Sequence, residues 1–216
     1  MTLKRLAIWG VGGHSRVVAD TARALGWTVD AFIEAPASQA ECSPGVIRAT
    51  SLQEALSAVR ASDLGAVALG FGQCVGRSLV GPAILDFKFV APAMVHPSAV
   101  VSPSARLGRG VYIGAGAVVE SGAAIGDFAI VNSRAVICHD STIGVASHVC
   151  PGAVVAGACA IGDRCWIGAG CTVRDHIRIM GGTLVGCGSV VVKSIDSPGT
   201  VFGNPARYIK PAPRVF

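Results

Sequence analysis

From Val95 to Val191, every sixth residue of the chain is aliphatic, and the register never slips. A period of six matches neither the period of about 3.6 of a helix nor the period of about 2 of an ordinary strand. Fixed periodicity over this length indicates a solenoid, in which each repeat stacks on its neighbours. If three hexads complete one coil, residues eighteen positions apart lie above one another.

A second column, four positions after the aliphatic one, is mostly small. Its members are Ala99, Ala105, Ala117, Ala123, Ala129, Ala135, Ser141, Ser147, Ala153, Cys159, Cys165, Cys171, Thr183 and Ser189. Three of the eight cysteines therefore lie at inward positions, where we expect buried small side chains rather than ligands. No C-x-x-C pair occurs, so no metal site is predicted, and a reduced, cytoplasmic protein fits best.

Composition and charge limit the classes of protein to which this chain can belong. A chain of 216 residues is long enough for two compact units, and a hydrophobic content of 51% allows a sizeable core. No apolar run approaches the roughly 18 residues of a membrane-spanning helix, and the N-terminus does not resemble a signal peptide. The net charge of +5 is scattered and aromatic residues make up 6%, which argues against a nucleic acid partner.

The N-terminal part alternates strands and helices, which indicates a small parallel sheet. The first strand leads through a glycine-rich turn, Gly10-Val11-Gly12-Gly13-His14, into a helix, and a polar loop rich in Ala, Ser and Pro follows the second strand. About ninety residues make only half of a dinucleotide domain, so one nucleotide half fits better than NAD. The predicted strands are 6–9, 28–34 and 66–71, and the later helices are 52–60 and 75–85.

Three features of this part could hold a nucleotide. Glycines let the backbone approach a phosphate, and the free N–H groups of a helix start attract it, although a plain βα turn would look the same. Glu34 ends the second strand and could contact a ribose or base, or be an exposed loop carboxylate. Arg77 could reach a pyrophosphate or be a solvated helix arginine.

Prolines mark the transition to the repeat, at Ala91-Pro92 and His96-Pro97. The predicted organisation is an α/β half-Rossmann domain over residues 1–92, an all-β parallel β-helix over 93–196, and a cap and tail over 197–216.

His139 and Asp140 stand out against the small and polar corners of the repeat. They occupy the middle of a hexad and should project outward, because Ile137 and Ser141 fill the inward positions. An imidazole beside a carboxylate is suited to removing a proton near neutral pH. Gly157 is eighteen residues later, so it should leave space beside the imidazole and offer a backbone N–H to a carbonyl oxygen.

The other outward candidates have several interpretations. His148 could bind substrate or be a surface histidine, and Trp166, stacked over it, could cover a ligand or contact another subunit. His176 is interpreted as a corner residue without a role. A metal-dependent hydratase would need His139, His148 and His176 to converge, but His176 lies about two coils from His139. A non-catalytic scaffold is a further alternative.

Taken together, four segments resemble the left-handed β-helix acyltransferases, in particular the group of sialic acid O-acetyltransferases and nucleotide-aminosugar N-acetyltransferases. The segments are the glycine-rich turn near the N-terminus, the first residues of the repeat (Val95-His96-Pro97-Ser98-Ala99), the stretch from Asn132 to Asp140, and Gly203-Asn204-Pro205-Ala206. The resemblance covers essentially the whole chain. One departure is Glu34, where many relatives carry Asp.

The resemblance implies a homotrimer with active sites between adjacent β-helices and acetyl-CoA in the groove. It implies that His139 is the general base, oriented by Asp140, and that Asn132 and His148 lie near the acceptor and the thioester. Gly157 and Gly186 would contact acetyl-CoA. Nucleotide-sugar contacts would come from Gly10, Gly12, Gly13, His14, Glu34 and Arg77.

The predicted function is therefore acetyl-CoA-dependent N-acetylation of a nucleotide-linked amino sugar, of the dideoxy type. The alternative is O-acetylation of sialic acid or a related free sugar, with a mainly structural N-terminal domain. Nucleotide-sugar affinity separates the two, because the alternative predicts none.

Overall fold

The structure, a computed structural model, describes residues 4–36 and 45–211. It consists of a small α/β unit followed by a left-handed parallel β-helix, which is the predicted fold class. Most of the polar loop after the second strand, and residues 212–216 of the predicted tail, lie outside the described residues. None of the helices in the described ranges is both long enough and apolar enough to cross a membrane.

The N-terminal sheet has four parallel strands in the order β3-β2-β1-β4. The predicted strands and helices are confirmed to within a few residues. The additional short strand β3 was not predicted, because three residues after a polar loop carry little periodicity. The bounds are β1 (Lys4–Trp9), α1 (Gly13–Ala24), β2 (Trp27–Glu34), β3 (Val46–Arg48), α2 (Leu52–Ala61), β4 (Val67–Leu69) and α3 (Cys74–Asp86).

The β-helix is built from two-residue strands separated by tight corners. They are β5 (Met94–Val95), β6 (Val100–Val101), β7 (Arg106–Leu107), β8 (Tyr112–Ile113), β9 (Val118–Val119), β10 (Ala124–Ile125), β11 (Ile130–Val131), β12 (Val136–Ile137), β13 (Thr142–Ile143), β14 (His148–Val149), β15 (Val154–Val155), β16 (Ala160–Ile161), β17 (Trp166–Ile167), β18 (Thr172–Val173), β19 (Arg178–Ile179), β20 (Leu184–Val185) and β21 (Val190–Val191). A C-terminal pair follows, β22 (Thr200–Gly203) and β23 (Ala206–Lys210), which is antiparallel and pairs with β20 through β22.

The strands form three faces. We call the sheets that begin with β5, β6 and β7 the first, second and third faces. Neighbouring strands pair in parallel with a register of eighteen residues, as in Ile130↔His148 and His148↔Trp166. The predicted stacking of three hexads per coil is therefore confirmed.

The interior of the β-helix contains the two periodic columns of the sequence. The aliphatic column and the small column form one hydrophobic cluster, in which Cys159, Cys165 and Cys171 are at most 2% exposed. The seven described cysteines are all free thiols, and burial raises the pKa of Cys165 to about 11. Inward hydroxyls are satisfied, since Ser141 donates to the carbonyl of Ala156 at 2.8 Å.

The α/β unit packs on the first face of the β-helix. Leu6 and Val18 share a buried cluster with Met94, Tyr112 and Ile130. Phe128, at a corner of the β-helix, belongs to the other core of the α/β unit, and a Cβ placed on Gly81 of α3 would lie 2.5 Å from its ring. The two units therefore share cores, which fixes the N-terminal domain relative to the coils.

Candidate active site

His139 and Asp140 lie at the corner between β12 of the second face and β13 of the third. Asp140 adopts a left-handed backbone conformation with φ of 59°, as other corner residues do. The side chains are 62% and 70% exposed, and His139 Nδ1 lies 2.9 Å from Asp140 Oδ2. An ionised carboxylate only accepts, so Nδ1–H donates and Nε2 keeps the basic lone pair.

Two carboxylates raise the pKa of His139 above its usual value. The first cause is the hydrogen bond that the ring donates to Asp140, and the negative charge of Glu120 adds to it. A raised pKa makes the imidazole a stronger base, because the imidazolium formed by proton capture is stabilised. The predicted pair of an imidazole and a neighbouring carboxylate therefore lies at an accessible position and is suited to removing a proton.

Gly157 lies directly over the imidazole. A Cβ at this position would be 2.6 Å from His139 Nε2, so any larger residue would displace the ring. The carbonyl of Gly157 accepts from His176 N–H at 3.0 Å, whereas its own N–H has no acceptor among the described residues. The imidazole therefore occupies the space that the missing side chain leaves, next to a residue whose backbone N–H has no acceptor among the described residues.

A second glycine makes room for Asp140 from the other side. A Cβ at Gly122, in the preceding coil, would lie 2.6 Å from Asp140 Oδ1. The exposed His139–Asp140 pair is thus flanked by a glycine in the next coil and a glycine in the preceding coil. The missing side chains leave room for the imidazole and the carboxylate.

Asn132 and His148 form a hydrogen-bonded chain where the α/β unit packs on the first face of the β-helix. We call this contact region the seam. His148 Nδ1 lies 3.2 Å from the carbonyl of Gly72, and its Nε2 lies 3.0 Å from Asn132 Nδ2. The carbonyl can only accept, so Nδ1 carries the proton and Nε2 accepts from the amide. Asn132 Oδ1 accepts from Ser133 N–H at 2.8 Å, which fixes the amide.

His148 is buried, which contradicts the surface interpretation. It is 5% exposed, and its ring centroid lies 4.5 Å from that of Trp166, which stacks over it as predicted. Burial lowers its pKa to about 3, with smaller contributions from Arg77 and His14. Both ring nitrogens are engaged within the chain, because the α/β unit covers this part of the first face.

Arg77 is also fully buried, so neither sequence interpretation fits this residue. Its guanidinium donates to the carbonyl of Phe128 from Nε at 2.8 Å and from a terminal nitrogen, and to the carbonyl of Phe71 at 3.0 Å. Burial lowers its pKa to about 9. The arginine joins α3 to a corner of the β-helix instead of facing a pyrophosphate.

His14 lies at the start of α1, beside this seam. Its ring meets Tyr112 edge-on, with centroids 5.2 Å apart, and burial and then Arg77 lower its pKa to about 4. The buried Nε2 has no hydrogen-bond partner among the described residues. A neutral imidazole with an unused nitrogen is therefore held next to His148, at a centroid distance of 6.3 Å.

A cleft of about 430 Å³ opens at the carboxyl ends of the N-terminal strands. This end of a parallel sheet is where α/β domains bind ligands. Gly10 and Glu34 line it, while Gly12 and Gly13 are exposed at the neighbouring helix start, where no side chain caps α1. The wall is mostly apolar and consists of Trp9, Val11, Ile33, Ala35, Pro36, Phe71, Leu79 and Val80, with Gln73 and Gly76.

Glu34 is held in place by an arginine that the sequence did not indicate. Its Oε2 lies 2.9 Å from Arg48 Nε and 2.8 Å from a terminal nitrogen of the same guanidinium. Arg48 belongs to β3, the strand that was not predicted. The carboxylate at the rim of the cleft is therefore oriented by a two-point ion pair.

Gly186 differs from Gly157 in what its backbone can offer. Its N–H already donates to the carbonyl of Val201 at 2.9 Å, and a Cβ there would clash with the ring of Phe202. The predicted backbone contact from Gly186 would need a donor that the C-terminal hairpin already uses. The β22–β23 pair could not be placed from the hexad pattern, because it follows the end of the repeat.

The three histidines of the hydratase alternative lie in different surroundings. His139 and His176 are exposed on corners, whereas His148 is covered by the α/β unit. In the described ranges, no group of three His, Cys, Asp or Glu side chains could hold a metal ion.

Sequence reasoning missed Glu120 and Gly122 near the His139–Asp140 pair. Both could have been found from the period of the repeat, since they lie eighteen residues before Cys138 and Asp140. Phe128 and Gly72, the partners of Arg77 and His148, carry no comparable signal, because their contacts join two units of different periodicity.

Several known proteins are similar to this chain. The family model for the PglD N-terminal domain matches residues 5–76. A perosamine N-acetyltransferase from Caulobacter crescentus, solved with CoA and GDP-perosamine, is 35% identical with a TM-score of 0.88, over 96% of this chain and 98% of that one. Curated protein sequences give no significant match.

A second solved relative is the acetyltransferase domain of PglB from Neisseria gonorrhoeae. It is 31% identical with a TM-score of 0.86, over 95% of this chain and 100% of that one. The same domain has been solved in complex with acetyl coenzyme A. WeeI from Acinetobacter baumannii, at 24% identity and a TM-score of 0.81, shares the fold.

Proposed function

The chain belongs to the hexapeptide-repeat sugar acetyltransferases, and on that premise we propose that it N-acetylates a nucleotide-linked amino sugar, of the dideoxy type, with acetyl-CoA as donor. The observation that carries this proposal is the exposed His139, which is bonded to Asp140 and whose Nε2 lies against Gly157. Two solved relatives, described above, contain CoA or acetyl-CoA, and one of them also contains GDP-perosamine.

In the proposed reaction, the amine of the sugar attacks the thioester carbonyl while His139 Nε2 takes its proton. Asp140 accepts from Nδ1–H and stabilises the imidazolium. The unpaired N–H of Gly157 is suited to the oxygen that becomes negative in the tetrahedral intermediate. Collapse of that intermediate breaks the carbon–sulfur bond, and the imidazolium returns its proton to the departing thiolate of CoA.

The nucleotide part of the substrate fits the cleft of the α/β unit. Its aromatic and aliphatic wall suits a base, and the uncapped start of α1 at Gly12 and Gly13 suits a phosphate. These features support a nucleotide-linked acceptor over the free sugar of the alternative.

We propose that two subunits of a homotrimer complete each site. The cleft lies in the unit that covers the first face, whereas His139 follows β12 of the second face. The second face carries an outward column that is apolar except for Thr172 and is exposed or half-buried in the single chain, namely Val100, Val118, Val136, Val154, Thr172 and Val190. Packing this column against another copy would bring a neighbouring cleft towards His139.

The cellular location follows from the same proposal. The seven described cysteines are free thiols, which fits a reducing compartment. We therefore place the enzyme in the cytoplasm.

The deciding experiment is an acetyl-transfer screen with acetyl-CoA. The acceptors are UDP-, GDP- and CMP-linked amino sugars with and without the deoxy positions, together with free sialic acid. We expect N-acetylation of one nucleotide-linked amino sugar and a complex of three chains by light scattering. Acetylation of free sialic acid without affinity for any nucleotide would show that the proposed function is wrong.

A further inference from the structure

The backbone N–H of His139 has a side-chain acceptor in the preceding coil. Glu120 Oε2 lies 2.9 Å from this nitrogen. Glu120 is half-buried and follows β9, which pairs with β12 directly before His139. The Glu120 carboxylate therefore bonds to the main chain of the proposed base, whereas the imidazole is bonded to Asp140.

This contact distinguishes His139 from the residues stacked at the same corner. The equivalent positions in the other coils are Pro103, Ser121, Gly157 and Asp175. Proline has no N–H, and the N–H groups of the other three have no acceptor among the described residues. The bond is thus a local addition to the repeat and not part of its regular hydrogen bonding.

Glu120 is equally unusual in its own column. The residues stacked with it are Ser102, Cys138, Ala156 and Arg174, so it is the single carboxylate at this position of the described coils. The hexad pattern needs no acid here, because the position points outward and other coils use neutral or basic side chains.

The rest of the His139 main chain is also fixed. Its carbonyl accepts from Ala158 N–H in the next coil at 2.9 Å, and Asp140 N–H donates to the carbonyl of Ser121 at 3.0 Å. With Glu120 on the N–H of His139, both backbone polar groups of this residue are bonded. The direction of the imidazole then depends on side-chain rotation alone.

The charged and titratable groups around His139 are few. Asp140 bonds to the ring, Glu120 contributes negative charge from the preceding coil, and the Cys138 thiol has its pKa raised by partial burial and by Glu120. The next coil presents Gly157 and Ala158, which carry no charge. Glu120 is therefore the second source of negative potential at the proposed base.

We propose that Glu120 is a positioning residue for the acetyl transfer, which anchors the main chain of His139 and favours the imidazolium that forms as the amine loses its proton. This inference rests on the proposed function for its catalytic part. Its electrostatic part concerns the protein alone and can be measured without any substrate.

The first test compares Glu120→Gln with Asp163→Asn. Gln can still accept from His139 N–H but lacks the charge. Asp163 accepts from Val145 N–H at 2.8 Å at another corner, so its variant loses a matched carboxylate away from His139. In protein with ¹³C-labelled histidine, we expect Glu120→Gln to lower the pKa of His139, because a nearby negative charge is lost, and Asp163→Asn to leave it unchanged. The His139 signal is assigned by its loss in His139→Ala.

The pH profile of turnover should shift in the same way. The imidazole must be neutral to act as a base, so lowering its pKa moves the acid limb of kcat to lower pH in Glu120→Gln. An unchanged His139 titration in that variant, or an equal shift in Asp163→Asn, overturns the inference.

The second test removes the hydrogen bond as well. In Glu120→Ala we expect kcat to fall about tenfold below that of Glu120→Gln, with the KM for both substrates unchanged, because the main chain of His139 is no longer held. A raised KM with normal kcat would mean that Glu120 contacts substrate, and the positioning role would be wrong. If wild-type protein acetylates no amino sugar, the proposed function fails, and the titration still decides whether Glu120 acts on His139.

Discussion

His139 and His148 belong to the same β-helix and are both hydrogen-bonded, yet their pKa values shift in opposite directions. His139, exposed on a corner, is bonded to a carboxylate, and its pKa rises. His148, at the seam with the α/β unit, is bonded to a carbonyl and an amide, and burial lowers its pKa to about 3. The contrast shows that the partner and the solvent, and not the residue type, decide which histidine can work as a base.

The seam adds a second contrast, because it contains a buried cation. Arg77 faces two carbonyls instead of a carboxylate, and its charge lowers the pKa of both His14 and His148. The corner accumulates negative charge from Asp140 and Glu120. One region is therefore suited to holding two units together with neutral histidines, and the other is suited to accepting a proton.

The largest expected effect is the loss of the base. We expect His139→Ala to reduce kcat by about 10²–10⁴, the usual contribution of a general base, while the fold is unchanged because the side chain is exposed. Steady-state kinetics with the accepted amino sugar measure this. His176→Ala, at another exposed corner, is the matched control and should keep full turnover; near-normal turnover of His139→Ala would refute the assignment.

A substitution at the seam should lower the free energy of unfolding. Arg77→Met removes the donors to Phe128 and Phe71 and leaves two buried carbonyls unpaired, and an unsatisfied buried group costs about 1–3 kcal/mol. We expect the free energy of unfolding to drop by about 3 kcal/mol, measured by urea denaturation. Arg106→Met, at an exposed site of the β-helix, should change it little. Equal midpoints for the two variants would mean that Arg77 does not hold the units together.

A smaller effect on turnover is expected when the gap beside His139 is filled. The Cβ of Gly157→Ala would lie 2.6 Å from Nε2, so the imidazole must move, and a displacement near 1 Å can lower the rate by about 10–100-fold. Kinetics of this variant should be compared with Gly65→Ala, where an added Cβ has no neighbour within 4 Å. Full activity of Gly157→Ala would show that the gap is not used.

The last expected effect is gradual, a pH dependence of stability from the seam. In the unfolded chain, His14 and His148 protonate near pH 6.5, whereas in the folded protein they stay neutral down to pKa values of about 4 and 3. Unfolding then takes up protons, so stability is complete above pH 6.5 and is lost as the pH falls towards these values. The slope is at most about 1.4 kcal/mol per pH unit for each histidine.

Urea unfolding between pH 7.5 and 5 measures this slope. His148→Gln should make it shallower, because one of the two depressed groups is removed. His176→Gln is the control, since that side chain is exposed on a corner, and it should leave the slope unchanged. An identical slope in wild-type protein and His148→Gln would contradict the buried, neutral state of His148.

Much of the site at the corner could be predicted from the sequence. The period of six gave the coil length, placed Gly157 over His139 and Trp166 over His148, and could also have placed Glu120 and Gly122. Such inferences succeed because stacking in a β-helix repeats one local geometry, so distance along the chain converts directly into position.

The seam could not be predicted in this way. The sequence by itself determined the β-helix, the parallel sheet and the exposed His139–Asp140 pair, because these follow from periodic burial and local turns. Only the tertiary structure decided that Arg77 and His148 are interior, that Arg48 holds Glu34, and that Phe202 covers Gly186. Each of those contacts joins segments of unrelated period, where burial depends on how two units pack and no local pattern records the partner.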